Sequence, residues 1–410
     1  MRYAIHEIEV TGSVPDIRHL PKMPNTEGYA LVVRRNGRVV GYIIQPLPPS
    51  GMPSPEELAR LIAQEVGGKL LTECIADELG LNKPPPVMPP VTVAICTRDR
   101  PELLGRCLSA LLPQLEDARR NGQAGDLLVI DNAPSDDRTR ALVAGMPGVR
   151  YCREPRPGLD FARNSALRLA EGEFVAFIDD DVVVDRAWFR GLCEAWGENP
   201  DAAAFTGLVL PYELETASQI IFERRGGFRR GFNKIRYGAE YPANMLYPCA
   251  AGMFGAGCNM AFRRDVMLGL GGFDEALDTG SPLPGGGDLD AFYRVIRAGH
   301  ILVYEPQFLV FHQHRRGMAA LRRQYWSWGL GHMAFTAKSY RKDPQMRPVV
   351  RHLILWWVRY QIKEALKCLK PGGPPLGLVI AELWGALGGL AGGYGRSMRR
   401  VQRIREAYPT

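Results

Sequence analysis

None of the eight cysteines of this chain forms a Cys-x-x-Cys pair. Cys74, Cys96, Cys107, Cys152, Cys193, Cys249, Cys258 and Cys368 are scattered, which argues against a zinc site or a disulfide frame and for thiols in a reducing compartment. The opening Met1-Arg2-Tyr3-Ala4-Ile5-His6-Glu7 lacks the apolar segment of a secretory signal, so a cytoplasmic location is expected. No RNP-like aromatic pattern, zinc spacing or recognition-helix motif occurs, and no nucleic-acid partner is expected. What is present, 46% hydrophobic and 23% charged residues over 410 positions, suits two or three folded domains.

The net charge of +7 is unevenly spread. Residues 315–410 hold 18 Lys and Arg against 4 Asp and Glu, which leaves the rest of the chain at −7. A basic tail on an acidic body suits an anionic partner such as membrane lipid, or a solvated face.

Residues 1–82 read as a small α+β module of unknown role. The runs Tyr29–Arg34 and Arg38–Ile44 flank Asn36-Gly37, a hairpin turn, and Ser54-Pro55 predicts the start of a helix. Residues 83–90 form a proline-rich linker, where a domain boundary is expected. From residue 91 apolar strands alternate with helical stripes: Val91–Cys96, Leu127–Asp131, Val149–Tyr151 and Phe174–Ile178 are the strands. This pattern predicts an α/β fold with a mostly parallel sheet, covered on both faces, with ligands at the carboxyl ends of its strands.

Those ends carry Thr97-Arg98-Asp99-Arg100, Asp131-Asn132 and Asp179-Asp180-Asp181. Three adjacent carboxylates repel one another unless a hard divalent cation with oxygen ligands relieves them, and such an ion also binds a diphosphate. The bland reading is a solvated acidic turn. His312 and His314 follow another apolar strand at a spacing that puts both on one side of an extended chain.

Val91–Arg323 resembles family 2 glycosyltransferases of the GT-A fold. The matching pieces are Val93–Arg100, Leu128–Asn132, Pro157–Asn164, Ala176–Asp181, Gly271–Glu275 and Gly285–Asp290, in order. The resemblance implies a Rossmann-like sheet flanked by helices over residues 91–325, followed by a basic helical region over 326–410. It implies inverting transfer of a sugar from a nucleotide-diphosphate donor, UDP-linked, to an acceptor hydroxyl. Thr97, Arg98 and Arg100 would line the nucleotide pocket, and Asp131 would bind the base. Arg163 and Asn164 would face the donor, Asp179 or Asp180 would reach the ribose, and Asp181 with His312 would hold Mn2+ or Mg2+. His314 would touch the diphosphate or lie at the surface.

Asp288 would be the catalytic base. The family usually has Glu before this aspartate. Here Gly287 stands in that place, so a sugar-nucleotide-binding protein without turnover is the alternative. Asp288 also reads as an N-cap for a helix over Leu289–Ala298, with Asp290 structural. Arg359, Lys363, Lys367 and Lys370 form one face of a helix with aromatic neighbours, which suits contact with the cytoplasmic face of a membrane and a saccharide or lipid-linked acceptor. The apolar stretch Leu376–Gly395 is just long enough to span a bilayer, against which Glu382 and the many glycines weigh. An oligomer is left open.

Overall fold

The computed structural model describes all residues except 1, 20–23, 82–85, 124, 242–243, 278, 281 and 410. Residues 83–85 of the linker are therefore outside the described residues.

The N-terminal unit is a three-stranded sheet of β1 (Tyr3–Glu9), β2 (Gly28–Arg35) and β3 (Arg38–Pro46), with α1 (Pro55–Glu78) across one face. Asn36 (φ 49°) and Gly37 (φ 74°) make the β2–β3 turn, where positive φ favours this pair. Ser54 caps α1 and forms a capping box with Glu57. The other face of the sheet is not free. Tyr3, Ala30, Val32, Val39 and Tyr42 belong to the main hydrophobic core. Arg34 pairs with Asp185 where both are buried, and Arg38 reaches Glu194 at 2.6 Å. The last linker residues also dock, since Met88 is buried and its N–H is 2.9 Å from Gln123.

The central unit contains β4 (Val91–Thr97), α2 (Pro101–Arg120), β5 (Gly125–Asn132), α3 (Arg138–Ala144), β6 (Val149–Glu154), α4 (Leu159–Leu169), β7 (Phe174–Asp179), β8 (Val182–Val184), α5 (Trp188–Glu198) and β9 (Ala202–Pro211). It continues with α6 (Ala217–Arg224), β10 (Ile235–Tyr237), β11 (Asn259–Arg263), α7 (Arg264–Gly269), the short strands β12 (Thr279–Gly280) and β13 (Leu283–Pro284), α8 (Gly287–Arg297) and β14 (Ile301–His312). The sheet order is β10-β14-β9-β11-β7-β4-β5-β6, with β8 also on β14. Strands β7, β4, β5 and β6 are mutually parallel, as are β9 and β14, while β11 runs against both of its neighbours. This is the expected α/β architecture, with helices on both faces. Leu104, Leu108 and Leu111 of α2 and Trp188 and Leu192 of α5 cover one face. Ala162 and Ala166 of α4 and Phe292 and Val295 of α8 cover the other.

Four helices follow: α9 (Met318–Lys342), α10 (Arg347–Cys368), α11 (Leu376–Gly388) and α12 (Tyr394–Ala407). The expected boundary at 325/326 falls inside α9, a single helix whose first half walls the central cavity and whose second half packs on the core through Phe335.

Candidate active site

In the sheet register Thr97 pairs with Asp131, and Cys96 with Asp179. Parallel strands that end together deliver their last side chains to one rim, and the turn from β7 into β8 adds Asp180 and Asp181. A cavity of about 1420 Å³ opens over this rim. It brings together Thr97, Arg98, Arg100, Arg163, Asp179, Asp180, Asp181, Asp288 and His312.

Thr97 Oγ1 donates to Asp180 Oδ2 (2.7 Å), and Arg100 Nη1 donates to Asp180 Oδ1 (3.1 Å). Burial still holds the Asp180 carboxyl above its usual range, against the pull of Arg100. Asp179 sits at the lip of the cavity and is pushed up to about 7. Burial is the main cause; Arg163, 3.9 Å away, opposes it, while Asp181, Asp180 and Asp288 add to it. Asp181 Oδ2 lies 3.8 Å from Arg100 and 3.6 Å from Arg315, and its Oδ1 lies 3.3 Å from His312 Nε2. Burial lowers His312 to about 4 although Asp181 works the other way, so its ring is neutral near pH 7, the form that binds metals.

Asp181 Oδ1 is buried without a hydrogen-bond partner among the described residues. Its 3.3 Å spacing from His312 Nε2 is close to that of two adjacent ligands sharing one ion at about 2.1 Å. These two atoms therefore fit a divalent cation. Among the described residues no group of three or more His, Cys, Asp or Glu could enclose an ion, so the other positions would fall to phosphate oxygens and water, as is usual for Mg2+ at nucleotide sites.

Asp288 lies on the cavity wall, half-buried. It is not the N-cap of its helix: α8 starts at Gly287 with Gly286 (φ 103°) as cap, because the left-handed turn there brings the chain into the helix earlier. Asp288 Oδ2 accepts from Gly257 N (3.0 Å) and Oδ1 from Leu289 N (2.9 Å). Asp290 faces away, bound to Arg294 and Lys338 at 2.6 Å each. Arg163 is buried; it reaches Asp160 Oδ1 and the Gly257 carbonyl at 3.2 Å each, tying α4 to the loop that holds Asp288.

Three expected residues are placed otherwise. Asn164 does not line the cavity; its amide bonds the backbone of Phe273 on both sides (2.7 and 2.9 Å) and Glu275 (3.2 Å). Asp131 is buried just behind Asn132, which does line it. Tyr151 donates to Asp131 Oδ2 at 2.8 Å, Oδ1 has no hydrogen-bond partner, and burial raises the carboxyl. His314 is neither a surface residue nor a cavity residue, but is buried against Glu223 at 2.8 Å. Asp160 and Glu223 gave no signal of their own in the sequence, because neither stands at a strand end.

The rim and cavity gather carboxylates, arginines and a histidine at the carboxyl edge of the sheet. Residues 92–269 match the model of Glycosyl transferase family 2, which places that segment of the chain in the family. It is 27% identical over 192 residues to a glucosyl-dolichyl phosphate glucuronosyltransferase of Haloferax volcanii, across 45% of this chain and 56% of that protein. It is 29% identical over 255 residues to the succinoglycan biosynthesis protein ExoM of Rhizobium meliloti, across 59% of this chain and 74% of that protein. The match to the Haloferax protein thus spans little more than half of its length. A solved mannosyltransferase from Pyrobaculum calidifontis, in complex with GDP-Man and Mn2+, superposes with a TM-score of 0.43 and 20% identity, over 86% of this chain and 92% of that one.

Proposed function

We propose that the protein transfers a sugar from a nucleoside-diphosphate sugar, UDP-linked in the first instance, to an acceptor hydroxyl with inversion. The observation that carries this reading is the meeting of Asp179–Asp181, His312, Arg100, Arg163, Arg315 and Asp288 around one cavity. Asp181 and His312 would hold a divalent ion, Mn2+ or Mg2+, which would supply positive charge for a departing diphosphate. Thr97 and Arg98 receive the nucleotide at the end of β4. Asp179 at the lip is placed for the ribose. Arg100, Arg163 and Arg315 add fixed positive charge around the phosphates. Asp288, oriented by two backbone N–H donors, takes the proton of the acceptor hydroxyl as it attacks from the side opposite the leaving group. Direct displacement inverts the anomeric centre and needs no second nucleophile.

The acceptor end of the cavity is walled by Trp326 and Trp328 of α9 and touches Ala381 of α11. By length and composition the helical stretch Leu376–Ala407 is apolar enough to cross a membrane. Its geometry favours lying on one. The glycines of α11 are spent against α9: a Cβ on Gly385 would fall 1.9 Å from the Trp326 carbonyl, and one on Gly389 2.5 Å from that of Leu330. The path bends at Gly392 (φ 83°), so the straight part, α11, has 13 residues and is about 20 Å long against a core of about 30 Å. The outward face shows Ile380, Trp384 and Leu387, 45%, 66% and 58% exposed. Together with Arg359 and Lys363 on α10 and Lys370 just after it, this face suits peripheral contact with an anionic cytoplasmic leaflet and a lipid-linked acceptor.

A screen of nucleotide sugars for slow donor hydrolysis, with and without Mn2+, tests the proposal. At least one donor should be turned over only with the ion, and Asp181→Ala should lose ion-dependent UDP binding in calorimetry. Full UDP and Mn2+ binding by Asp181→Ala would remove the metal role.

A further inference from the structure

Behind His312 lies a buried chain of polar groups that donor chemistry alone does not require. His312 Nδ1 is 3.0 Å from His314 Nδ1, and His314 Nε2 is 2.8 Å from Glu223 Oε1. All three residues are buried. Phe222 packs on the His314 ring at 4.7 Å and Phe228 on the His312 ring at 5.1 Å. We propose that Glu223 and His314 are positioning residues that hold the His312 ring in the tautomer whose Nε2 lone pair faces Asp181.

An ionised carboxylate only accepts, so the proton between Glu223 and His314 belongs to His314 Nε2. In the proposed arrangement His314 is neutral, and the lone pair on its Nδ1 accepts the proton carried by His312 Nδ1, 3.0 Å away. The second nitrogen of His312, Nε2, is left as a bare acceptor 3.3 Å from Asp181 Oδ1, ready for a cation. Orientation therefore runs from a carboxylate on α6 to the rim of the sheet. The far end of the chain is anchored from two sides. Glu223 Oε2 is 3.3 Å from Arg229 Nε, and the Arg229 guanidinium lies 4.8 Å above the ring of Tyr42 in β3. The N-terminal unit thus closes the outer end of the relay. Gly227 is required beside it, since a Cβ there would fall 2.2 Å from Glu223 Oε1.

This inference rests on His312 as a cation ligand, and two measurements separate the two claims. The first is Mn2+ affinity of the full chain with UDP, followed by electron paramagnetic resonance. His314→Phe and Glu223→Met should each weaken it about 10–100-fold, the usual effect of losing a group behind a metal ligand. His314→Asn, whose side-chain oxygen can accept from His312 Nδ1, should keep most of it although it packs less well than Phe. The second is the tautomer of His312 from nitrogen-15 spectra of the ion-free protein and of its Mg2+–UDP form. The parent should show Nδ1–H, and His314→Phe should show Nε2–H. A parent ring protonated at Nε2, or a His314→Phe variant with parent Mn2+ affinity, overturns the relay. A parent that shows Nδ1–H and binds no Mn2+ upholds the relay and removes the metal from the proposed function.

Discussion

Consider Gly287→Ala. Gly287 is the first residue of α8 and has φ below zero, so the backbone itself accepts alanine, and in a helix that exchange normally stabilises by about 0.5–1 kcal/mol. Space decides otherwise. The new Cβ would lie 2.0 Å from Asp160 Oδ2 and 2.8 Å from its Cγ, far inside contact distance. Asp160 is fully buried and bound to Arg163, which holds the Gly257 carbonyl, and the N–H of Gly257 holds Asp288. The carboxylate can retreat only by giving up its contact with Arg163, so overpacking should cost about 1–3 kcal/mol despite the gain in helix propensity. Transfer should fall as well, because the displaced group leads through Arg163 and Gly257 to Asp288. In an Asp160→Ala background the obstruction is gone, and the same Gly→Ala change should cost nothing or stabilise by up to about 1 kcal/mol. Urea denaturation of the parent, both single variants and the double variant measures this reversal as a coupling energy. Additivity within about 0.5 kcal/mol would mean that Asp160 does not occupy the space beside residue 287, and the explanation of Gly287 would fail.

Other outcomes follow from the same geometry. Asp288→Asn should leave donor affinity near that of the parent and lower kcat about 10²–10⁴-fold, the scale of a lost general base; near-parental transfer would assign the proton to another group. Lys338→Met should destabilise by about 3 kcal/mol, because Asp290 and Asp274 lose an ammonium 2.6 Å from each where Asp290 is almost fully buried. Burial alone would raise the Asp274 carboxyl, but Lys338, the Ala276 N–H and Tyr394 hold it below its usual range. Its contribution is thus complete above the unfolded value of about 4 and is lost as pH falls through the lower folded value, and the loss caused by Lys338→Met should shrink in acid. Equal pH dependence of parent and variant melts would disprove this pairing. Replacing Trp384 and Leu387 by Glu should reduce co-sedimentation with anionic vesicles and leave UDP binding unchanged; unaltered sedimentation would move the membrane contact elsewhere.

The strands were legible because β4, β5 and β7 are short apolar runs, and a strand buried on both faces has little choice of composition. Their polar ends were legible for the same reason: once the strands were placed, Thr97, Asp131 and Asp179–Asp181 had to stand at one edge. The turn at Asn36-Gly37 and the cap at Ser54 were legible from local backbone chemistry alone. Asn164 was misplaced because its motif places its helix near the donor without telling which side of α4 faces the cavity. Asp288 was off by two positions as a cap because the left-handed Gly286 looks like any other glycine in Gly285-Gly286-Gly287.

What the sequence determined by itself is the kind of rim this protein has, since local hydrophobic pattern and strand length settle which polar side chains follow a buried strand. What only the tertiary structure decided is the company those side chains keep. Glu223 lies 91 residues before His314, and Asp160 is opposed by a glycine 127 residues later. Such contacts arise from the packing of α6, α4 and α8 around the sheet, and no periodicity along the chain encodes them.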